Sequence, residues 1–128
     1  MIVPADMVPL YGTETALIQL RDTITERALA TAMRAARRTE RAAHGRHGLN
    51  WYKDVQLYAV CGDERVPHSE RDRETGPLLP VVREMFRAFA EADRICVEQQ
   101  AYTVYGTDER VPLDRWAVCE IHRDALQH

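Results

Sequence analysis

The chain has 128 residues, of which 45% are hydrophobic and 29% charged, and its formal net charge is −3. This composition is typical of one soluble globular domain, and it disfavours long disordered segments because apolar residues recur along the sequence. No apolar run approaches the roughly 18 to 20 residues that a membrane-spanning helix needs, so we expect no membrane partner.

The first half of the chain is predicted to contain one long helix. Residues 1–12 contain two prolines and a glycine and are expected to be extended or coil. Thr13 suits a helix N-cap, and apolar residues at every third or fourth position predict a helix over residues 14–43. Its small side chains would let a second helix approach closely, so we expect a homodimer through this helix. They are Ala28, Ala32, Ala35, Ala36 and Ala42.

The second half alternates between predicted strands and one further helix. The predicted elements are strand 54–61, polar loop 62–77, helix 78–96 and strands 101–105 and 115–122. Two alternatives stay open: the second strand starts as early as Ile95, and Asp114 caps a short helix instead of preceding a strand. The pattern predicts a single α+β domain over residues 1–128, with two main helices packed on a sheet of three or four strands.

A ten-residue motif occurs twice in the chain. Residues 58–67 match residues 102–112 at eight of ten positions if Thr107 is treated as an insertion, and both copies end in Asp-Glu-Arg-Val-Pro. An unbroken recurrence of five residues in so short a chain indicates an internal repeat. Since each copy follows a predicted helix and ends a predicted strand, we expect two α–β–loop units, over approximately 13–67 and 77–112.

The duplicated motif supplies the first set of candidate site residues, which are Asp63, Glu64, Arg65, Asp108, Glu109 and Arg110. If the two preceding strands are parallel neighbours, both loops emerge at one edge of the sheet, where ligands bind in many α/β proteins. The carboxylates would then hold a divalent cation or share a proton, and the arginines would clamp an anion. The alternative is ordinary turn chemistry, which explains every residue type in the loop.

An arginine cluster on the long helix supplies the second set. Residues 1–53 carry eight basic and five acidic side chains, whereas residues 54–128 carry nine and fifteen. Helical spacing places four of the arginines on one face, and further basic and aromatic residues follow, as in a surface that binds nucleotides or nucleic acid. The predicted anion-binding residues are Arg34, Arg37, Arg38, Arg41, Arg46, Trp51 and Tyr52. The alternative is a solvated helix face.

The cysteines and histidines favour neither a metal site nor catalysis. Cys61, Cys96 and Cys119 are far apart, which predicts free, mostly buried thiols and a reducing, cytoplasmic location. His44 and His47 lack the paired ligand spacing of zinc sites, so no metal is expected. No phosphate-binding or dinucleotide-binding loop occurs, so no cofactor is expected.

These observations favour a non-catalytic binding protein. Its expected partner is anionic: a nucleotide-like ligand, a nucleic acid or an acidic protein surface, held by the arginine-rich helix. The first alternative is a small enzyme that uses the duplicated Asp-Glu-Arg loops. The second alternative is a phage-type adaptor or inhibitor that binds a host protein.

Overall fold

The computed structural model describes residues 18–21, 24–47, 50–67, 77–105 and 109–126. The predicted coil over residues 1–12 and the predicted helix start at Thr13 lie outside the described residues. No helix in these described ranges is long and apolar enough to cross a membrane.

The described residues form an α+β domain, as predicted. The elements are strand β1 Ile18–Leu20, helices α1 Glu26–Ala35 and α2 Arg37–His47, strands β2 Tyr52–Cys61 and β3 Glu64–Pro67, helix α3 Leu79–Ala88, strands β4 Arg94–Tyr105 and β5 Glu109–His122, and a 3-10 helix Arg123–Leu126. The sheet has five strands in the order β1-β5-β4-β2-β3, rather than the three or four expected. Only β1 and β5 pair in parallel.

The long helix begins later than predicted and is bent. Residues 18–20 form β1, which pairs with β5, so the first part of the predicted helix 14–43 is wrong. Thr25 caps α1, because its side-chain oxygen accepts a hydrogen bond from the Ala28 N–H at 3.0 Å. At Ala36 the backbone departs from the helix, yet backbone hydrogen bonds continue across it, so α1 and α2 form one bent helix.

The second half confirms the predicted strands and settles both open alternatives. The predicted strands 54–61, 101–105 and 115–122 lie within β2, β4 and β5. The predicted loop 62–77 begins with a turn at Gly62 and Asp63 and continues as β3, and its residues 68–76 lie outside the described residues. Helix α3 ends at Ala88 and β4 begins at Arg94, so the early strand start is the better of the two alternatives. β5 continues through Asp114, and a helix capped by that residue is therefore wrong.

The helices pack on one face of the sheet and form the apolar core with it. The core joins Leu29, Val82 and Phe86 of the helices to Val97 and Trp116 of the sheet. The chain itself buries Ala32 and Ala36, which belong to the small-residue face predicted to hold a second helix. Dimerisation through this helix stays a prediction.

Each copy of the duplicated motif forms a β-hairpin, β2–β3 for the first and β4–β5 for the second. In each motif, the first Tyr pairs with the Pro and the first Val pairs with the Arg. The pairs are Tyr58 with Pro67 and Val60 with Arg65, then Tyr102 with Pro112 and Val104 with Arg110. The predicted α–β–loop units are not confirmed, because the Glu and Arg of each expected loop are strand residues, Glu64 and Arg65 in β3 and Glu109 and Arg110 in β5.

Candidate functional site

The face of the sheet opposite the helices carries a row of charged side chains, which we call the polar face. Antiparallel partners project to the same side, so the register assigns its members. They are Asp54, Tyr58, Arg65, Arg94, Cys96, Glu98, Gln100, Arg110, Arg115 and Glu120. Several of these groups are buried, and a buried charge needs a partner to offset the loss of hydration.

Glu98 is the most buried charge on the polar face, and two arginines bind it. Its side chain is 3% exposed. Arg65 donates to one carboxylate oxygen, and Arg115 donates to the other at 3.0 Å. Both oxygens of Glu98 are therefore engaged.

Arg65 is held from two sides. Its guanidinium carbon lies 4.2 Å from the centre of the Tyr58 ring, while a terminal nitrogen donates to Glu98. Cation–π contacts of this kind are worth about 0.5–1 kcal/mol at exposed sites and more when the pair is desolvated. The two contacts fix the position of Arg65 before any ligand binds.

The other hairpin carries the same arrangement. Arg110 donates to the carboxylate of the buried Asp54, and its guanidinium carbon also lies 4.2 Å from a ring centre, that of Tyr102. Tyr52 packs beside Tyr102 with 5.7 Å between ring centres. Each hairpin's arginine thus binds an acid from the other hairpin, since Glu98 lies on β4 and Asp54 on β2.

A cavity of about 400 Å³, which we call the sheet cavity, opens at the end of the polar face near the first hairpin. Its walls combine an apolar part, which includes Val60 of β2, with charged groups from the β2–β3 turn, β3, β4 and β5. The charged and cysteine residues that line it are Asp63, Arg65, Arg94, Cys96, Glu98, Cys119 and Glu120. Its volume lies within the range of small-molecule sites, roughly 300 to 1,000 Å³.

Glu120 is held as a charged carboxylate at the edge of the sheet cavity. Burial raises its pKa, but hydrogen bonds from Gln19 and Cys96 and the charge of Arg94 outweigh this and lower the pKa overall. Gln19 donates to one oxygen at 2.9 Å, and Arg94 donates to the other at 3.0 Å. Both oxygens of Glu120 are therefore engaged as well.

The Cys96 thiol on the polar face and the Cys119 thiol in the apolar core are both poor nucleophiles. Burial, together with a hydrogen bond to Glu120 and that residue's negative charge, raises the pKa of Cys96 to about 12. Burial likewise raises the pKa of Cys119 to about 12. Since the thiolate is the reactive form, both groups are protonated and inert near neutral pH.

The duplicated acidic residues do not form one site. β2 and β4 are neighbours but antiparallel, so the two hairpin turns lie at opposite ends of the sheet. Tyr52 pairs with Tyr102, and Tyr58 lies six residues further along β2, which places the two motifs about 20 Å apart. Asp63 and Glu64 are exposed. Asp108 lies outside the described residues. Within the described part of the chain, no group of His, Cys, Asp and Glu is arranged to hold a metal ion.

The arginines of the bent helix are exposed and lie on the other side of the sheet. Arg34 donates to Thr31 at 3.1 Å, and Arg37, Arg38 and Arg41 point to solvent. A groove of about 390 Å³ runs along the helix, with Arg34 and Arg37 among its lining residues. Arg46 belongs to α2, but its side chain lies outside the described residues.

The two predicted aromatic residues do not join the arginine helix in one surface. Trp51 packs edge-on against His44 and Trp116, with ring centres 5.3 and 6.3 Å apart, on the helix side of the sheet. Tyr52 follows it in the chain and faces the opposite side, because side chains alternate along a strand. The predicted basic and aromatic surface is therefore divided between two faces, and its ligand stays a prediction.

Sequence reasoning missed three of the central residues, Arg94, Glu98 and Glu120. For Glu98 a signal was present, because Asp54 and Glu98 each stand four residues before the Tyr of their motif. Gln56 and Gln100 also correspond, so the motif extends further upstream than the matched ten residues. Arg94 and Glu120 carry no such signal, since only the pairing of β4 with β5 brings them together.

No protein-family model, curated protein or solved structure matches the chain. The chemistry of the polar face is therefore inferred from its own residues.

Proposed function

We propose that the chain is a non-catalytic binding protein for a small anionic ligand, which binds in the sheet cavity between Arg65 and Arg94. The observation that carries this proposal is that two guanidiniums with unused N–H donors, Arg65 and Arg94, line the same cavity. The carboxylates of Glu98 and Glu120 have both oxygens engaged, whereas the two guanidiniums retain donors.

The unused donors of Arg65 and Arg94 follow from the structure of the guanidinium group. Each one carries five N–H donors and no acceptor. One N–H of Arg65 donates to Glu98 and one N–H of Arg94 to Glu120, and the remaining donors of both make no hydrogen bond to a described residue. A carboxylate or phosphate oxygen is the acceptor that these groups match best.

Two further features support binding rather than catalysis. Tyr58 and Glu98 already fix Arg65, which lowers the entropy that a ligand must offset on binding. The thiols of Cys96 and Cys119 are protonated near neutral pH, and the acids Glu98 and Glu120 are bound to arginine. Neither type of group is poised to attack or to exchange a proton with a substrate.

The test is a calorimetric titration of the purified protein with inorganic phosphate and with succinate. We expect saturable binding of one of these probes, with one equivalent per chain. Arg94→Gln should weaken that binding about tenfold, because a hydrogen bond to a charged group contributes about 1.5–3 kcal/mol. Arg37→Gln on the helix is the matched control and should leave it unchanged. Equal affinity of Arg94→Gln and the unmodified protein would remove the sheet cavity as the site.

A second candidate site is the predicted arginine helix. Its support is the groove along α1, where Arg34 and Arg37 flank the apolar side chains of Leu29, Met33 and Leu78. This site predicts the reverse outcome of the titration: Arg37→Gln weakens binding, and Arg94→Gln does not. Native mass spectrometry of freshly purified protein adds an independent readout, since a co-purified anion or a bound protein would appear as added mass.

A further inference from the structure

A second cavity lies at the other end of the polar face, and it differs in chemistry from the sheet cavity. It measures about 460 Å³ and is more open, and its lining residues are Tyr52, Tyr102, Val104 and Arg110. We call it the tyrosine cavity. It shares no lining residue with the sheet cavity, and the ligand proposed for the sheet cavity does not depend on it.

The tyrosine cavity occupies the position in the second hairpin that the sheet cavity occupies in the first. Val104 pairs with Arg110 as Val60 pairs with Arg65, and each arginine lies 4.2 Å over the tyrosine of its own motif. Each arginine is also anchored to a buried acid of the opposite hairpin. A rigid guanidinium beside a valine is therefore present at both ends.

The two cavities differ at the residue that faces the motif's tyrosine across β2 and β4. Tyr58 is paired with Cys96, whereas Tyr102 is paired with Tyr52. The small Cys96 leaves an enclosed space, while Tyr52 projects a ring that is 58% exposed. Val104 is also an exposed apolar side chain. An exposed tyrosine and an exposed valine beside a fixed cation form a platform for a flat ring.

We propose that the tyrosine cavity binds a planar aromatic ring that carries a carboxylate. The ring stacks on Tyr52 and contacts Val104, and the carboxylate accepts from Arg110. Arg110 has unused donors, because one of its five N–H groups donates to Asp54 and the others make no hydrogen bond to a described residue. A saturated ring of the same charge would keep the ion pair but lose the offset stacking that aromatic pairs prefer.

The test is an NMR titration of the isotopically labelled protein with benzoate and, separately, with cyclohexanecarboxylate. The two probes carry the same charge and differ in ring planarity. We expect benzoate to shift the amide signals of Tyr52 and Val104 and to bind there about fivefold more tightly than the saturated probe. Amide signals of Val60 and Ala117 report on the sheet cavity in the same spectra, so failure at one site is distinguishable from failure at the other.

Two variants at position 52 separate stacking from simple apolar contact. Tyr52→Phe keeps the ring and should retain the preference for benzoate, whereas Tyr52→Leu should abolish it. Tyr52 is exposed, so neither variant is expected to disturb the fold, and unchanged signals elsewhere in the spectrum would verify this. Equal affinities for the two probes, or an undiminished preference in Tyr52→Leu, would overturn the proposal.

Discussion

The two ends of the polar face use the same side chains, but one end is closed and the other is open. At the first hairpin, Glu98 lies between Arg65 and Arg115, and the side chain of Arg115 is only 7% exposed. At the second hairpin, Asp54 binds Arg110, whose side chain is 41% exposed. The same short motif therefore gives a buried acid bound by two arginines in one copy and a buried acid bound by one half-exposed arginine in the other.

The difference comes from the neighbours of the motif and not from the motif itself. β5 continues for ten residues beyond Pro112 and runs along β4, where it brings Arg115 to Glu98 and Glu120 to Arg94. Among the described residues, which stop at Pro67 and resume at residue 77, β3 supplies no such extension to β2. A duplicated motif can thus keep its local contacts while its surroundings give each copy a different ligand preference.

The largest expected effect is on stability, from removing the two buried acids one at a time. Glu98→Gln removes the charge of a buried carboxylate that binds both Arg65 and Arg115, and breaking a buried charge pair costs about 3–5 kcal/mol. Asp54→Asn releases Arg110 to solvent, so we expect a smaller loss, about 1–2 kcal/mol. Urea unfolding of both variants measures the two free energies of unfolding.

Equal losses in the two variants would contradict the closed and open description of the two ends. A larger loss for Asp54→Asn would reverse it. A further variant, Arg110→Gln, tests the same point from the cation's side, and it should cost less than Arg115→Gln because the side chain of Arg110 is 41% exposed and that of Arg115 only 7%.

The second expected effect is a loss of stability in alkaline solution that originates at the closed end. The pKa of Cys96 is raised to about 12 in the folded chain, above its ordinary value of 9.0, mainly by burial. Between these two values the unfolded chain has released the proton and the folded chain has kept it. The free energy of unfolding therefore falls as the pH rises from about 9 towards 12.

The control for this effect is Cys96→Ala, because other groups also titrate in the same range. Thermal unfolding at pH 8 and at pH 10.5 should show a larger drop in Tm for the unmodified chain than for the variant. The raised pKa of Cys119 is caused mainly by burial, which both proteins share, so most of its contribution is common to the comparison. Identical drops would show that Cys96 is more hydrated than its position in the cavity wall implies.

A smaller effect is expected at the turn of the first hairpin. Gly62 has a φ of +62°, in the left-handed region that disfavours other residues. Gly62→Ala should therefore cost about 1 kcal/mol, and no atom lies within 4 Å of the added methyl group to change that value. Gly45 in α2 is a control for which the opposite sign is expected. The methyl group added by Gly45→Ala also has no atom within 4 Å, and this variant should stabilise the chain by up to about 1 kcal/mol. Chemical unfolding of both variants tests the signs.

The parts of the fold that local patterns predicted are those with long periodic stretches. β2 and α3 were recognisable from alternation and from helical spacing, and the α+β class followed. β1 and β3 were missed, because strands of three and four residues form through pairing with distant partners. In β1 that pairing with β5 overrides a helical pattern, and in β3 it extends a motif whose composition is typical of turns.

The candidate site was predictable only in part, for the same reason. The motif itself drew attention to Arg65 and Arg110, and both line cavities of the polar face. Their acid partners stand 33 and 56 residues away in the sequence. Such contacts depend on the order of strands in the sheet, and a sequence without related chains carries little information about that order.

The smallest expected effect concerns the mouth of the sheet cavity. Asp63 lines the cavity and is exposed, so its negative charge opposes an anion that approaches Arg65 and Arg94. Asp63→Asn should tighten phosphate or succinate binding about twofold at low ionic strength, where screening is weakest. Glu84→Gln removes the same charge from an exposed position on α3, outside the cavity lining, and should have no effect. Equal changes in both variants would assign the effect to net charge alone, whereas weaker binding in Asp63→Asn would mean that the ligand is held partly by this carboxylate and is not a simple anion.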